Sequence, residues 1–153
     1  MPEIVDHDLK EEETQKGKYL TFKLGEEQYG IKIKYVLEIV GIQEITQVPE
    51  MPDYIKGIIN LRGQIIPVMD VRIRFGKPPK AYNGRTCVIV VSVGGDTVGL
   101  IVDTVSEVYT VREEKIVLPP DLNYGNNSRF IQGIYKEKDQ VKLLIDCKRV
   151  LDL

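Results

Sequence analysis

The chain has 153 residues, 42% of them hydrophobic, so it is long enough for one sizeable core and too short for two ordinary domains. Its 21 basic and 23 acidic residues leave a formal net charge of -2, which excludes a global positive field for nucleic-acid phosphates or an anionic membrane. Its apolar runs fall far short of the roughly twenty residues that span a bilayer, and its N-terminus lacks a signal-peptide pattern. These features predict one cytoplasmic domain.

Residues 1–18 mix Glu, Asp and Lys densely and show almost no apolar periodicity. Such a segment cannot bury enough apolar surface to offset the entropy that ordering would cost. We therefore predict a flexible, solvated acidic arm over residues 1–18 and a folded domain over residues 19–153.

From Tyr19 onward the pattern changes to period two. Leu20, Phe22 and Leu24 alternate with their neighbours, which is typical of a half-buried strand. Gly25 begins a turn, and residues 29–33 are predicted to form the returning strand. Residues 34–39 fit a short helix and an extended piece equally well.

Two apolar, β-branched runs over residues 55–61 and 64–69 flank the dipeptide Arg62-Gly63, which predicts a tight hairpin. Pro67 has no N–H to donate to a ladder, so it belongs on a sheet edge or at a bulge. Asp70 ends the second strand and is placed to cap a short helical turn over residues 71–75.

The second half of the chain repeats the pattern of the first. At one constant offset, Gly25 aligns with Gly94, Gly30 with Gly99, and residues 36–39 with residues 105–108. At a larger offset, residues 54–58 align with 130–134, Arg62 with Lys138, and Asp70 with Asp146. An insertion in the loop over residues 119–128 accounts for the change of offset, and we predict a structural repeat.

The repeats cover residues 19–76 and 86–153, and each supplies about five short strands. Such a number closes a small barrel with little room inside. We predict an all-β fold of two five-stranded barrels related by the pseudo-repeat, with short helices and a C-terminal helical turn. Whether the repeats exchange strands stays open. Two such barrels would leave a groove between them, with residues 36–38 and 105–107 as its walls.

The folded region shows no pattern for catalysis or metal binding. The only histidine of the chain, His7, lies in the predicted arm, so the folded region offers no histidine-based triad or general base. Cys87 and Cys147 have no partner at metal-ligand spacing, and Asp70 and Asp146 are explained as helix caps. We predict no enzymatic activity, no metal and no cofactor. A small β-barrel that binds a ligand or nucleic acid is the alternative, although the sequence lacks a basic aromatic platform.

The sequence also indicates a contact surface. Residues 36–39 hold more apolar side chains in succession than one buried face needs, which is typical of a partner site. Arg62 stands at the tip of the predicted hairpin, and its guanidinium is suited to pairing with a carboxylate, which Glu38 provides in this sequence. An ordinary solubilising turn residue is the other interpretation of Arg62.

Four motifs together resemble the CheW family of bacterial chemotaxis coupling proteins, and the resemblance runs from Tyr19 to Leu153. The motifs are Phe22-x-Leu24-Gly25-x-x-x-Tyr29-Gly30-Ile31, Val36-x-Glu38-Ile39, Ile55-x-Gly57-x-x-Asn60-Leu61-Arg62-Gly63-x-Ile65-x-Pro67-Val68-x-Asp70, and Gly99-x-x-Val102-Asp103-x-Val105. The Gly-x-x-Asn-Leu-Arg-Gly core is the most specific of them. The resemblance implies two SH3-like β-barrels around a shared hydrophobic centre.

The resemblance also implies a function. A member of this family would bridge the cytoplasmic tips of transmembrane chemoreceptors and the histidine kinase CheA, whose regulatory domain has the same fold. It would therefore be cytoplasmic and recruited to membrane-associated receptor arrays. Carried over position by position, the receptor-binding residues would be Val36, Glu38, Gly57, Arg62, Val105 and Val108. The resemblance assigns no residue to the kinase contact and no role to the N-terminal arm.

Overall fold

The computed structural model describes residues 16–118 and 128–152, which are predominantly β-structure. In chain order the elements are β1 (Lys18–Leu24), β2 (Glu27–Lys32), β3 (Val36–Gly41), β4 (Ile55–Leu61), β5 (Gln64–Asp70), α1 (Val71–Arg74), β6 (Cys87–Val93), β7 (Asp96–Val102), β8 (Thr104–Thr110), β9 (Ile116–Val117), β10 (Ile131–Glu137), β11 (Gln140–Ile145) and α2 (Cys147–Leu151). The predicted all-β class, the short helices and the C-terminal helical turn are confirmed.

The strands form two sheets, and each sheet takes strands from both halves of the chain. The six-stranded sheet has the order β8-β1-β2-β11-β10-β9, and the five-stranded sheet has the order β3-β6-β7-β5-β4. The β1–β2 hairpin of the first half therefore pairs with strands of the second half, and the β6–β7 hairpin pairs with strands of the first. The sixth strand of the larger sheet is the two-residue β9.

The pairing registers show that the sequence repeat is also a structural one. Val68 pairs with Gly99 in the parallel contact of β5 with β7, and the equivalent Leu144 pairs with Gly30 in the parallel contact of β11 with β2. Register shifts interrupt the β4–β5 ladder before Gly57 and the β10–β11 ladder at the equivalent place. Space for a side chain is short at both glycines: an added Cβ would lie 2.9 Å from a side-chain carbon of Leu144 at Gly30, and 2.7 Å from Val88 and 3.0 Å from Val68 side-chain carbons at Gly99.

The largest core cluster lies where the two sheets meet and holds side chains from both. Its aromatic members form a continuous row in which Phe22 stacks on Tyr29, Tyr29 packs on Phe75 and Phe75 stacks on Phe130, with ring centroids 5.2 to 5.5 Å apart. Because Phe22 and Phe130 come from opposite halves of the sequence, burial of this row ties the halves together.

Each sheet also encloses a smaller cluster, and the two clusters differ in chemistry. In the five-stranded sheet the buried members are aliphatic: Ile59, Leu61, Ile66, Val68, Val88, Val90 and Ile101. In the six-stranded sheet they are Tyr19, Val111, Tyr135 and Leu144, with Tyr109 packed against them. The two sheets therefore share one fold, but the interior of the six-stranded sheet is more polar than that of the five-stranded sheet.

Several local predictions are confirmed in detail. Residues 34–39, which fitted two structures, form the end of a 3₁₀ turn over Ile33–Tyr35 and the start of β3. Asp70 caps α1 by accepting a hydrogen bond from the Ile73 N–H. The position predicted for Pro67, a sheet edge or a bulge, is wrong: β5 lies between β7 and β4, and Pro67 pairs in regular register with Ile58. On the other side of β5 the parallel pairing with β7 begins only at Val68. A proline is tolerated there because no ladder bond on the second side requires its missing N–H.

One side of the junction between the sheets is held by an ion pair that the sequence patterns did not predict. Arg72 after β5 donates from Nε and Nη2 to the two carboxylate oxygens of Asp103, at 2.7 and 2.6 Å. Asp103 lies between β7 and β8, and it also accepts the Gly25 N–H at 2.8 Å. The carboxylate therefore joins three segments, and the Arg72 guanidinium holds the pKa of Asp103 below its ordinary value.

Two predictions lie outside the described residues: the arm, of which residues 1–15 are not described, and the insertion in the loop over residues 119–128, of which 119–127 are not described. Among the described residues, no helix has the length and apolar character needed to cross a membrane.

Candidate binding surface

Two edge strands carry most of the residues that the sequence assigned to a binding surface. β3 is the edge of the five-stranded sheet, and β8 occupies the equivalent edge of the six-stranded sheet. Leu37 and Ile39 on β3 are 59% and 42% exposed, and Val108 on β8 is 52% exposed. Aliphatic side chains left in water on an unpaired edge are typical of a contact surface, since folding alone gains nothing from them.

The hairpin between β4 and β5 brings Arg62 to β3. Arg62 and Gly63 have φ values of 50° and 87°, so both central residues of the turn are in the left-handed region, as the right-handed twist of a two-residue hairpin requires. The Asn60 side chain accepts the Gly63 N–H at 2.8 Å and braces the turn. The equivalent Lys138, with φ of 56°, stands at the tip of the β10–β11 hairpin.

Arg62 forms the ion pair with Glu38 that the sequence indicated. Its Nη2 lies 2.6 Å from Oε1 and 2.5 Å from Oε2 of Glu38. The hydrogen bond to this carboxylate raises the pKa of the guanidinium, so Arg62 stays charged. The Arg62 side chain is 71% exposed, so water screens the pair and a partner can reach both groups. The pair also spans the gap between β3 and β4, the two edges of the five-stranded sheet.

The equivalent gap in the six-stranded sheet is bridged by different chemistry. The hydroxyls of Tyr109 on β8 and Tyr135 on β10 both donate to Oε2 of Glu137, at 2.9 and 2.6 Å. These hydrogen bonds lower the pKa of Glu137 and raise that of Tyr135 to about 12, so the carboxylate is charged and the phenols are protonated at neutral pH. Lys142, which is buried, places its ammonium 4.1 Å from the centroid of the Tyr109 ring.

Val36 and Val105 occupy equivalent places and are only half-buried. Val36 pairs with Val91, and Val105 pairs with Phe22; both valines pack against the core cluster at the junction of the sheets. The groove walls predicted from residues 36–38 and 105–107 thus lie on the edge strands of different sheets. The side chains of Val36 and Val105 therefore contribute to packing of the core, in addition to any contact with a partner.

Gly57 is buried, and its close packing leaves no room for a side chain. Its φ is 144°, and a Cβ at this position would lie 2.0 Å from the Thr46 carbonyl oxygen. The close approach lets Thr46 and Ile58 exchange backbone hydrogen bonds of 2.9 Å. Gly57 therefore has a structural role that accounts for the glycine, and its proposed part in receptor binding stays a prediction.

Sequence patterns indicated Arg62 and Glu38 but not Tyr109, Tyr135 and Glu137. A signal for these residues was present in the repeat, because their equivalents in the first half are Val40, Ile59 and Leu61. The two halves therefore differ in chemistry at these positions. The first half has three aliphatic side chains where the second half has two tyrosines and a glutamate.

Comparisons with known proteins agree with the fold. The model of the CheW-like domain matches residues 18–153. The chemotaxis protein CheW of Klebsiella aerogenes is 36% identical over 91% of this chain and 84% of its own length, and CheW of Bacillus subtilis is 33% identical over 88% and 86%. The crystal structure of the scaffolding protein TtCheW from Thermoanaerobacter tengcongensis matches with a TM-score of 0.82 and 39% identity, covering 90% of this chain and 93% of that one.

The fold and the surface define the class of protein, which is that of paired SH3-like β-barrels. Each sheet takes strands from both repeats, and the edge strands present charged and apolar side chains. The sequence identities to these relatives extend over most of both chains, and they identify the family within this class. This chain belongs to the CheW family of chemotaxis proteins.

Proposed function

We propose that this protein is a non-catalytic adaptor that couples transmembrane chemoreceptors to the regulatory domain of the histidine kinase CheA. The observation that carries the proposal is the match of residues 18–153 to the CheW-like domain. A solved relative with 39% identity is described as a scaffolding protein, which supports the same role. The adaptor works in the cytoplasm and is recruited to receptor arrays through these two contacts.

The receptor contact is proposed to centre on Arg62 and Glu38. Both charges are accessible, and a polar group on the receptor tip can replace either member of the pair. Val108 adds exposed apolar area, while Val36 and Val105 hold the two edge strands against the core. Gly57 contributes by keeping β4 close to Thr46, which positions the hairpin that ends in Arg62.

The kinase contact is proposed to use a separate surface, so that one adaptor holds receptor and kinase together. Receptor state then reaches the kinase through the geometry of the complex, without any covalent change in the adaptor. No residue is assigned to this second surface.

Binding measurements with a receptor cytoplasmic fragment and with the CheA regulatory domain test the proposal. Replacement of Arg62 by alanine is expected to weaken receptor binding about tenfold, since a charge-assisted contact is lost, while the melting temperature changes by only a few degrees. Arg85→Ala is the matched control, because Arg85 is also exposed but lies in the connection before β6. If the wild-type protein binds neither partner, the adaptor proposal is wrong.

Val108→Asp tests the apolar part of the receptor surface. The exposed valine tolerates the change better than half-buried Val36, where aspartate would also disturb the core. We expect weaker receptor binding and nearly unchanged binding of the kinase domain. Val141→Asp, at another exposed strand valine, is the control. Equal loss of both partners in Val108→Asp would contradict two separate surfaces.

A further inference from the structure

The outer half of β8, residues 108–110, follows an irregularity in the strand. Just before it, two residues of β8 face the single residue Thr21 of β1, which is a β-bulge. The Thr21 hydroxyl bridges the bulge, because its Oγ1 donates to the Glu107 carbonyl at 2.8 Å and accepts the Glu107 N–H at 3.2 Å. A bulge bends a strand and changes the direction of the side chains beyond it, so the ladder with β1 does not by itself fix the orientation of Val108.

On its other side the outer half of β8 borders a gap. Among the described residues β8 pairs only with β1, whereas β10 pairs with β9 and β11. An open groove of about 560 Å³ lies between β8 and β10. The hydrogen bond from the Tyr109 hydroxyl to Oε2 of Glu137, 2.9 Å long, crosses this gap. Since Tyr109 follows Val108 directly, this bond fixes the outer half of β8 relative to β10.

Both ends of the cross-gap bond are themselves held in place. The Tyr135 hydroxyl donates to the same Glu137 oxygen at 2.6 Å, but both residues lie on β10, so this second bond orients the carboxylate without joining two strands. At the other end, buried Lys142 places its ammonium 4.1 Å from the centroid of the Tyr109 ring. The donor and the acceptor therefore meet in one defined arrangement.

The first half of the chain has the same two features in different chemistry. A register shift interrupts the β3–β6 ladder just before Glu38, and the ion pair of Glu38 with Arg62 crosses the gap from β3 to the hairpin tip. The equivalent Glu107 and Lys138 form no ion pair with another described residue, and the bond to Glu137 takes their place. Because a contact crosses the gap in both sheets although its chemistry differs, the shared feature is the bridge itself.

We propose that Glu137 is a positioning residue for the receptor contact: by accepting the Tyr109 hydroxyl it holds the outer half of β8, and Val108 with it, at a fixed distance from β10. Without this bond the outer half of β8 moves about the bulge, and Val108 spends part of its time in orientations that do not fit a receptor. The consequence for binding rests on the proposed function, whereas the positioning of β8 does not.

Amide exchange of the isotope-labelled full chain tests the positioning without any partner. Tyr109→Phe removes the hydroxyl and keeps the ring that packs against the cluster of the six-stranded sheet. The Glu107 and Val111 amides flank the outer half of β8, through their bonds to Thr21 and Gly17. We expect both to exchange about tenfold faster relative to the β6 amides, which report global unfolding. Unchanged relative exchange would refute the positioning of β8.

Tyr135→Phe is the matched control, because it removes the other hydroxyl from the same carboxylate oxygen. Its bond lies within β10, so the cross-gap bond stays. Tyr135 is 2% exposed, and its loss should cost at least as much stability as that of the Tyr109 hydroxyl. The exchange of the Glu107 and Val111 amides relative to β6 should nevertheless stay nearly unchanged.

Binding to a receptor cytoplasmic fragment tests the functional consequence. Tyr109→Phe should weaken receptor binding about fivefold, since the binding-competent fraction of β8 falls to about one fifth, while Tyr135→Phe should weaken it less than about twofold. Binding of the CheA regulatory domain should change in neither variant. Equal losses of receptor affinity in the two variants would show a general effect of lower stability and would overturn the positioning role.

A double-mutant cycle separates positioning from direct contact. Glu137→Leu introduces the residue that stands at the equivalent place, Leu61, and removes the acceptor. In this background Tyr109→Phe should cause no further loss of receptor affinity, because the two changes remove one bond. Additive losses would mean that Tyr109 contacts the receptor itself, which contradicts the proposal. If the wild-type protein binds no receptor, the proposed function and the binding consequence fail, and amide exchange still decides whether Glu137 positions β8.

Discussion

Gly57 illustrates how a single residue of a functional motif can be required for folding. Its φ of 144° and the Thr46 carbonyl oxygen, 2.0 Å from where a Cβ would be, both exclude a side chain. We therefore predict that Gly57→Ala costs about 3 kcal/mol or more of unfolding free energy, since backbone must move to relieve the clash. Urea denaturation measures this cost.

Gly63 provides the control for this substitution. Its φ of 87° is also in the left-handed region, but an added Cβ would meet nothing within 4 Å. Gly63→Ala should cost only about 1 kcal/mol, which is the backbone strain alone. Equal losses at the two positions would mean that the approach of Thr46 is unimportant. Loss of receptor binding in any Gly57 variant has to be compared with its loss of stability.

At the scale of strands, the gap between β8 and β10 is predicted to make stability depend on pH. Hydrogen bonds from Tyr135 and then Tyr109 hold the pKa of Glu137 below its ordinary value of 4.5. A group with a lowered folded pKa contributes stability above its unfolded pKa and loses it as the pH falls through the folded value. The wild-type urea midpoint should therefore fall more steeply below about pH 4.5 than that of Glu137→Gln.

At alkaline pH the dependence of stability on pH has the opposite sign. The pKa of Tyr135 is raised to about 12 by its hydrogen bond to Glu137, so its contribution to stability is present below the ordinary tyrosine pKa and is lost as the pH rises through about 12.

The control for the acid side is Glu107→Gln, because Glu107 lies on β8 but outside the tyrosine hydrogen bonds. This variant shows the effect of simple loss of a carboxylate. Identical acid profiles for Glu137→Gln and wild type would contradict the proposed coupling.

The two helix caps offer a second comparison between elements. Asp70 is buried, accepts the Ile73 N–H at 3.3 Å with one oxygen and accepts the Tyr82 hydroxyl at 2.7 Å with the other. Asp146 is more exposed and accepts the Lys148 N–H at 3.0 Å. Asp70→Ala should therefore lower stability by about 2 kcal/mol and Asp146→Ala by about 1 kcal/mol. Thermal unfolding measures both, and a larger loss at Asp146 would refute the assignment.

At the scale of the whole molecule, exchange of strands makes the two halves depend on each other. β2 pairs with β11 and β5 pairs with β7, so neither half contains a complete sheet. Fragments 1–84 and 85–153, divided at exposed Gly84, should each be largely unfolded alone and should recover the native spectrum when mixed. Circular dichroism and amide spectra measure this recovery. Cooperative folding of either fragment by itself would show that the halves are independent domains.

Local chemistry made much of the molecule predictable. The hairpin around Arg62-Gly63, the cap at Asp70 and the repeat all follow from residues whose backbone preferences or side-chain reach are confined to a few neighbours. The Arg62–Glu38 pair was also indicated, because a guanidinium at a hairpin tip is suited to pairing with a carboxylate and Glu38 provides one. The Arg72–Asp103 pair was missed, since its three connected segments are far apart in sequence and no local pattern relates them.

The sequence by itself determined the strands, their turns, the pseudo-repeat and the family, because alternation of apolar residues, turn chemistry and motif spacing are local properties. Only the tertiary structure decided which half completes which sheet, that Gly57 is enclosed by Thr46, and that Tyr109, Tyr135 and Glu137 meet beside an open edge. These features arise from contacts between distant segments, and their register is chosen by burial of the shared core as a whole.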